Sequence, residues 1–190
     1  MAKITVTPQT FAMVNFDAGR IATLAEEVAD RVGLPADLPV SIEVDEATPL
    51  GRARIVSVDP AAVSVQGGAF EDAKQLRALS DRSVRDVLGR MFHRLLDRLD
   101  PRFADAPADD DLTLQQATAW DAYAVGRCER IGYSPQKQRR VYHFRNRHGF
   151  NDVADRVFER LWTAEPGSLS WADIEAACAE TAAGRGESAA

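Results

Sequence analysis

Histidines and carboxylates are the residues of this sequence whose types and spacing could do acid/base or metal chemistry, and there are only three histidines. At about 100° per residue, Gly89, His93 and Asp97 fall one turn apart on one side of a predicted helix. A histidine four residues from a second ligand on a helix is a zinc-holding geometry. The competing reading is a solvated face on which Arg90, His93, Arg94 and Asp97 pair with one another in water. A second carboxylate, Asp121, falls within the inward arc expected for Leu114, Ala117, Ala124, Val125 and Cys128. A carboxylate there is costly unless paired. It is either a buried partner of an arginine or a cleft acid of perturbed pKa, with Trp120, Tyr123, Arg127 and Glu129 on its flanks. An enzyme built from these residues would gather His93, Asp97, Asp121 and Glu129 into a hydrolase or metal-dependent site.

The largest local charge anomaly is Lys137 to His148. It carries Lys137, Arg139, Arg140, Arg145 and Arg147, two histidines and two aromatics, with no acid. Arginine and lysine supply phosphate contacts and aromatic rings supply stacking, so these five basic residues are nucleic-acid- or phosphate-binding candidates. The alternative is intramolecular: they neutralise Asp105 and Asp109 to Asp111. The segment has no clean helical period, and its alternation fits a short edge strand. His143 and His148, five apart with no cysteine nearby, do not form a metal motif, and no metal or cofactor is expected.

Absent motifs narrow the field. Gly67-Gly68 lacks the spacing of a phosphate-binding loop. Neither G-x-S-x-G nor Cys-x-x-Cys occurs, and Cys128 and Cys178 read as small thiols on helices. The net charge of −6 opposes a whole-surface affinity for nucleic acid or anionic lipid. Twenty arginines against three lysines point to GC-rich bacterial coding, which weakens any argument from arginine alone. No apolar run is long enough to span a bilayer, and the N-terminal residues alternate like a strand, so a cytoplasmic protein with no membrane role is expected.

The elements that must position these residues follow from periodicity. Strands are predicted at Lys3 to Thr7, Val40 to Asp45, Ala53 to Val58 and Ala62 to Gln66, the last two joined as a hairpin by Asp59-Pro60-Ala61. Helices are predicted over Asn15 to Val32, Ser83 to Leu99, Leu112 to Ile131, from Asn151 to Trp162, and from Ser170 to Thr181. Trp162 and Trp171 fit a core or an interface equally well. The expected fold class is α+β: a small, mostly antiparallel sheet of three to four strands with about five helices. Residues 1–135 form the core, 136–181 a basic segment and C-terminal helices on the same domain, and 182–190 a disordered tail.

The order of elements over residues 15–131 resembles a minimal zincin-like metallopeptidase core, in which an H-E-x-x-H helix follows a small sheet. On this sequence that motif reads Gly89-Arg90-Met91-Phe92-His93, and only His93 matches. The resemblance therefore implies a degenerate zincin-like fold without its metal site or its general base. The resulting expectation is a non-catalytic interaction module of unknown partner, a protein being favoured. The enzyme around His93 and Asp121 and a nucleic-acid-binding accessory using residues 137–148 are the alternatives.

Overall fold

The computed structural model describes residues 2–187. The chain divides into two compact units, Met1–Leu96 and Asp97–Ala190, and the division falls inside a helix.

The first unit contains β1 (Lys3–Thr7), α1 (Ala18–Val32), β2 (Pro39–Asp45), β3 (Ala53–Val58), β4 (Ala61–Gln66) and most of α2 (Asp81–Leu99). Asp17 caps α1 by accepting the Arg20 N–H at 2.8 Å, and Gly33 ends it in the left-handed region at φ 82°. Between these caps Ile21, Leu24, Ala25, Val28 and Val32 recur at helical spacing, and all are buried. Two ion pairs join α1 to α2, Arg20 with Asp81 and Arg85 with Glu27.

The sheet is mixed, which corrects the expectation of a mostly antiparallel one. Its order is β1-β2-β4-β3. β1 and β4 both run parallel to β2, and only the β3–β4 hairpin is antiparallel, with a register shift between Ile55 and Ser57. The reason lies in the connections. The β1-to-β2 link contains a whole helix, and a crossover of that length joins parallel neighbours. β4 then inserts beside β2 instead of leaving β3 there. Strand alternation gave no warning, because β2 buries only Val40, Val44 and Ile42 on one face. That pattern reports a single covered face, whatever the direction of the strand.

A second correction concerns α2. Its supposed solvent face is buried: His93 is 4%, Arg94 3% and Asp97 5% exposed. Leu88, Gly89, Met91, Phe92 and Leu95 are buried as well, so the middle of α2 is covered all round.

The second unit is helical. It holds a short turn of 3-10 helix at Pro101–Phe103, then α3 (Leu114–Arg130), α4 (Lys137–His148), α5 (Asp152–Thr163) and α6 (Trp171–Glu187). α3 is central and packs against α4, α5 and α6. Thr113 and Gln116 form a capping box at its start. Gly126 sits where α3 meets α5. A Cβ there would lie 2.2 Å from the Trp162 carbonyl oxygen, so only glycine permits the approach. The core is aromatic, built on Phe103, Trp120, Tyr123, Phe144, Phe158, Trp162 and Trp171, which places both uncertain tryptophans inside. Asn151 caps α5, and Ser170 with Asp173 forms the expected box on α6. α6 continues through residues 182–187, which were expected as tail, and 188–190 lie outside the described residues. The basic segment is a helix, not an edge strand. Among the described residues no helix is long and apolar enough to cross a membrane.

Candidate functional site

Of the four acid/base candidates, His93 belongs to the first unit and Asp97, Asp121 and Glu129 to the second. Asp97 is held in a buried, two-pronged pair: Arg127 Nη1 and Nη2 donate to its Oδ1 and Oδ2 at 2.7 and 2.6 Å. Trp120 Nε1 donates to the same carboxylate at 2.7 Å. The Arg127 guanidinium stacks on the Tyr123 ring at 3.8 Å. Three structural donors thus converge on this carboxylate. Glu129 is exposed and accepts the Trp162 indole N–H at 2.8 Å. His93 is buried in the first unit, and Asp121 is only half-buried on α3. A buried carboxylate–arginine pair therefore exists on Asp97. The predicted inward arc of α3 was too narrow: Leu114 is exposed, while Trp120, Tyr123 and Arg127 are buried. Among the described residues no three His, Cys, Asp or Glu side chains gather as a metal site.

The acidic loop also finds a partner other than the one weighed for it. Arg98 donates to Asp109 at 2.6 Å and to the Pro107 carbonyl at 2.7 Å, with its guanidinium 4.9 Å from the Trp120 ring centre. The two thiols are quiet. Cys128 is buried, and burial pushes Cys178 up to about 11. In the first unit a shallow crevice of about 430 Å³ opens where β1 ends and α1 begins, lined by Gln9, Asn15, Phe16, Asp17 and Leu79. The capping carboxylate of Asp17 puts negative charge where that helix end would otherwise attract an anion.

α4 is where unsatisfied chemistry remains. Its last turn carries Arg145, Arg147 and His148, a placement that complements the helix dipole. One side faces inward. Phe144 stacks on His148 with ring centres 3.8 Å apart, and both are buried. His148 Nδ1 lies 2.8 Å from Thr181 Oγ1, and Nε2 lies 3.1 Å from both the Gln115 carbonyl and Thr118 Oγ1. Burial lowers its pKa to about 4, so it is a neutral pin between α3, α4 and α6.

The five basic candidates differ in their surroundings. Arg145 is bound to Asp155 by two bonds of 2.7 and 2.6 Å, and Lys137 to Glu159 at 2.8 Å. For these the intramolecular reading is right in kind, with partners on α5 and not on the acidic loop. Arg140 is half-buried. Arg139 and Arg147 are exposed, and neither makes an ion pair among the described residues.

The outward side of α4 has a regular construction. Arg139, His143 and Arg147 form one row at intervals of four, and Tyr142, Asn146 and Phe150 form a second beside it. Phe150 follows Gly149, whose φ of 111° turns the chain out of the helix. The Tyr142 and Phe150 rings meet edge to face at 6.1 Å, yet they are 59% and 65% exposed. Asn146 Nδ2 is tied to the Tyr142 carbonyl at 2.8 Å, which leaves its oxygen facing outward as an acceptor. Burial first, then Arg139, Arg140 and Arg147, lower the pKa of His143, which records how closely the arginine charges gather around it. Sequence reasoning named the basic residues but missed Phe150 and Asn146. The four-residue spacing of both rows was the available signal.

No protein-family model, curated protein or solved structure matches this chain.

Proposed function

We propose that this protein is a non-catalytic binding module that holds an anionic macromolecule on the outward face of α4. The observation that carries this reading is the pair of exposed arginines, Arg139 and Arg147, on a helix that also carries exposed Tyr142, with exposed Phe150 just past its end. Internal ion pairs engage several other charges of the second unit, among them Asp97, Arg127, Arg98, Arg145 and Lys137. The net charge of −6 confines attraction for anions to such a local patch and keeps the rest of the surface repulsive to them. Non-catalytic action is supported by the engagement of Asp97 and Glu129 in structural hydrogen bonds. The degenerate zincin-like core stays within this proposal on element order, with His93 as the one residue that fits its motif.

The test uses heparin as a generic polyanion. The unaltered protein is expected to be retained on a heparin column at low salt, and R139E/R147E to pass through. Circular dichroism should superimpose for the two proteins. Failure of the unaltered protein to be retained, or identical elution of the variant, overturns the reading.

A further inference from the structure

We infer that the partner on this face is a single-stranded nucleic acid, a commitment that rests on the binding reading above and narrows it. The geometry points to the combination of arginines with flat rings. A purely acidic polypeptide would be met by cations alone. Here Tyr142 and Phe150 expose most of their ring surface inside the basic patch, and apolar surface left in water is covered at a gain when a flat partner stacks on it. Nucleobases are such partners, and stacking tolerates any base because every base has a π-face. Arg139 and Arg147 are eight residues apart, about 12 Å along the helix axis. That span matches roughly three to four nucleotides of a stacked strand at 3.4 Å each. Phosphates would therefore meet the two ends of the row while bases reach the adjoining Tyr142 and Phe150 rings. His143 and the outward Asn146 oxygen lie between the arginines, within reach of sugar and base edges.

Duplex recognition fits less well. α4 and α5 are joined by three residues, Gly149 to Asn151, a spacing that resembles a helix-turn-helix. In that motif the second helix enters the groove. Here α5 sets Asp152, Asp155 and Glu159 against Arg156 and Arg160, so it brings phosphate no net positive charge. The basic helix comes first. Open, flexible bases are what the exposed rings can take, and bases stacked inside a duplex are out of their reach.

The probes are a fluorescently labelled oligouridylate of about a dozen nucleotides, a blunt duplex of equal length and oligoglutamate, read by anisotropy. We expect the single strand to bind more tightly than the duplex, and oligoglutamate to bind least. With two phosphate contacts the affinity should fall about sevenfold between roughly 50 and 200 mM salt, a logarithmic slope near −1.4. R139E/R147E should abolish binding. Y142L/F150L keeps apolar area but removes the π-faces, and should weaken single-strand binding by about 5- to 100-fold. The imidazole resonance of His143 should titrate at higher pH when the strand is bound, as phosphate offsets the arginine field.

Heparin retention without oligonucleotide binding overturns the nucleic-acid inference and leaves the binding reading standing. Oligonucleotide affinity unchanged in Y142L/F150L also overturns it, because the rings would then play no part. Oligoglutamate binding tighter than the single strand assigns the face to an acidic protein. Loss of both heparin and oligonucleotide binding in the unaltered protein removes both readings.

Discussion

Two groups of arginines in the Asp97–Ala190 unit show opposite treatments of the same side chain. Arg127 is buried under Tyr123 and locked to Asp97 at both nitrogens. Arg139 and Arg147 stand in solvent on α4 with no ion pair among the described residues. Burial makes the difference. A desolvated guanidinium demands a carboxylate and stacking to offset the loss of water, so its pairing is structural by necessity. An exposed guanidinium keeps its hydration and its charge and can spend both on a partner. The contrast separates charges that specify the fold from charges that remain available for recognition.

The largest expected effect breaks the buried side of this comparison. Asp97→Ala leaves Arg127 charged, dry and without its carboxylate, and also removes the acceptor of Trp120. Losing one partner of such a pair costs about 3–5 kcal/mol. Urea unfolding should show that loss as a lower midpoint. Replacing both partners, as in D97L/R127M, should recover a large part of it, because no buried charge is then left alone. A single variant as stable as the parent would mean that the pair is not desolvated in solution.

This pair also marks the limit of what the sequence disclosed. The α1 face, the β3–β4 hairpin, the Asn151 cap and the Ser170–Asp173 box were all readable, because each is fixed by residues a few positions apart. Sheet direction was not, since it depends on where β4 inserts and not on alternation within a strand. The α2 face was misread because helical periodicity assumes one covered side. His93, Arg94 and Asp97 are polar residues on a helix buried around its middle. On α3 the same assumption drew the inward arc too narrow, leaving Trp120, Tyr123 and Arg127 outside it. For α4 the composition was legible, but its division was not. Which arginines are spent internally depends on Asp155 and Glu159 of a neighbouring helix.

A smaller effect contrasts the two histidines of α4. His148 is buried with a pKa near 4, whereas an unfolded chain titrates it at about 6.5. Between those values the unfolded chain binds a proton that the folded protein does not. Stability is therefore complete above about pH 6.5 and falls as pH drops toward 4, by something on the order of 2–3 kcal/mol. In H148Q the pH dependence of the unfolding midpoint should flatten over this window, at the cost of a lower midpoint near neutrality. His143 on the outward side, exposed but also with a lowered pKa, should flatten the profile less than His148 when replaced by Gln. Parallel pH profiles for the parent and H148Q would place the stability loss elsewhere, among the carboxylates. Those titrate lower: Arg102 holds Asp100 down to about 2, and Arg145 holds Asp155 below the usual range.

The smallest expected effect on stability is also the sharpest form of the comparison. Arg139 and Arg147 touch no carboxylate among the described residues, so reversing both charges removes no ion pair. Exposed substitutions of this kind change stability by no more than about 0.5 kcal/mol each. Arg139 lies near the start of α4, where a glutamate interacts favourably with the helix dipole, and Arg147 lies near its end, where a glutamate does not. The two contributions oppose each other. R139E/R147E should therefore unfold at nearly the parent midpoint while losing polyanion binding altogether. A marked drop in stability would show these arginines to be structural after all, and the distinction between the buried and the exposed set would then dissolve.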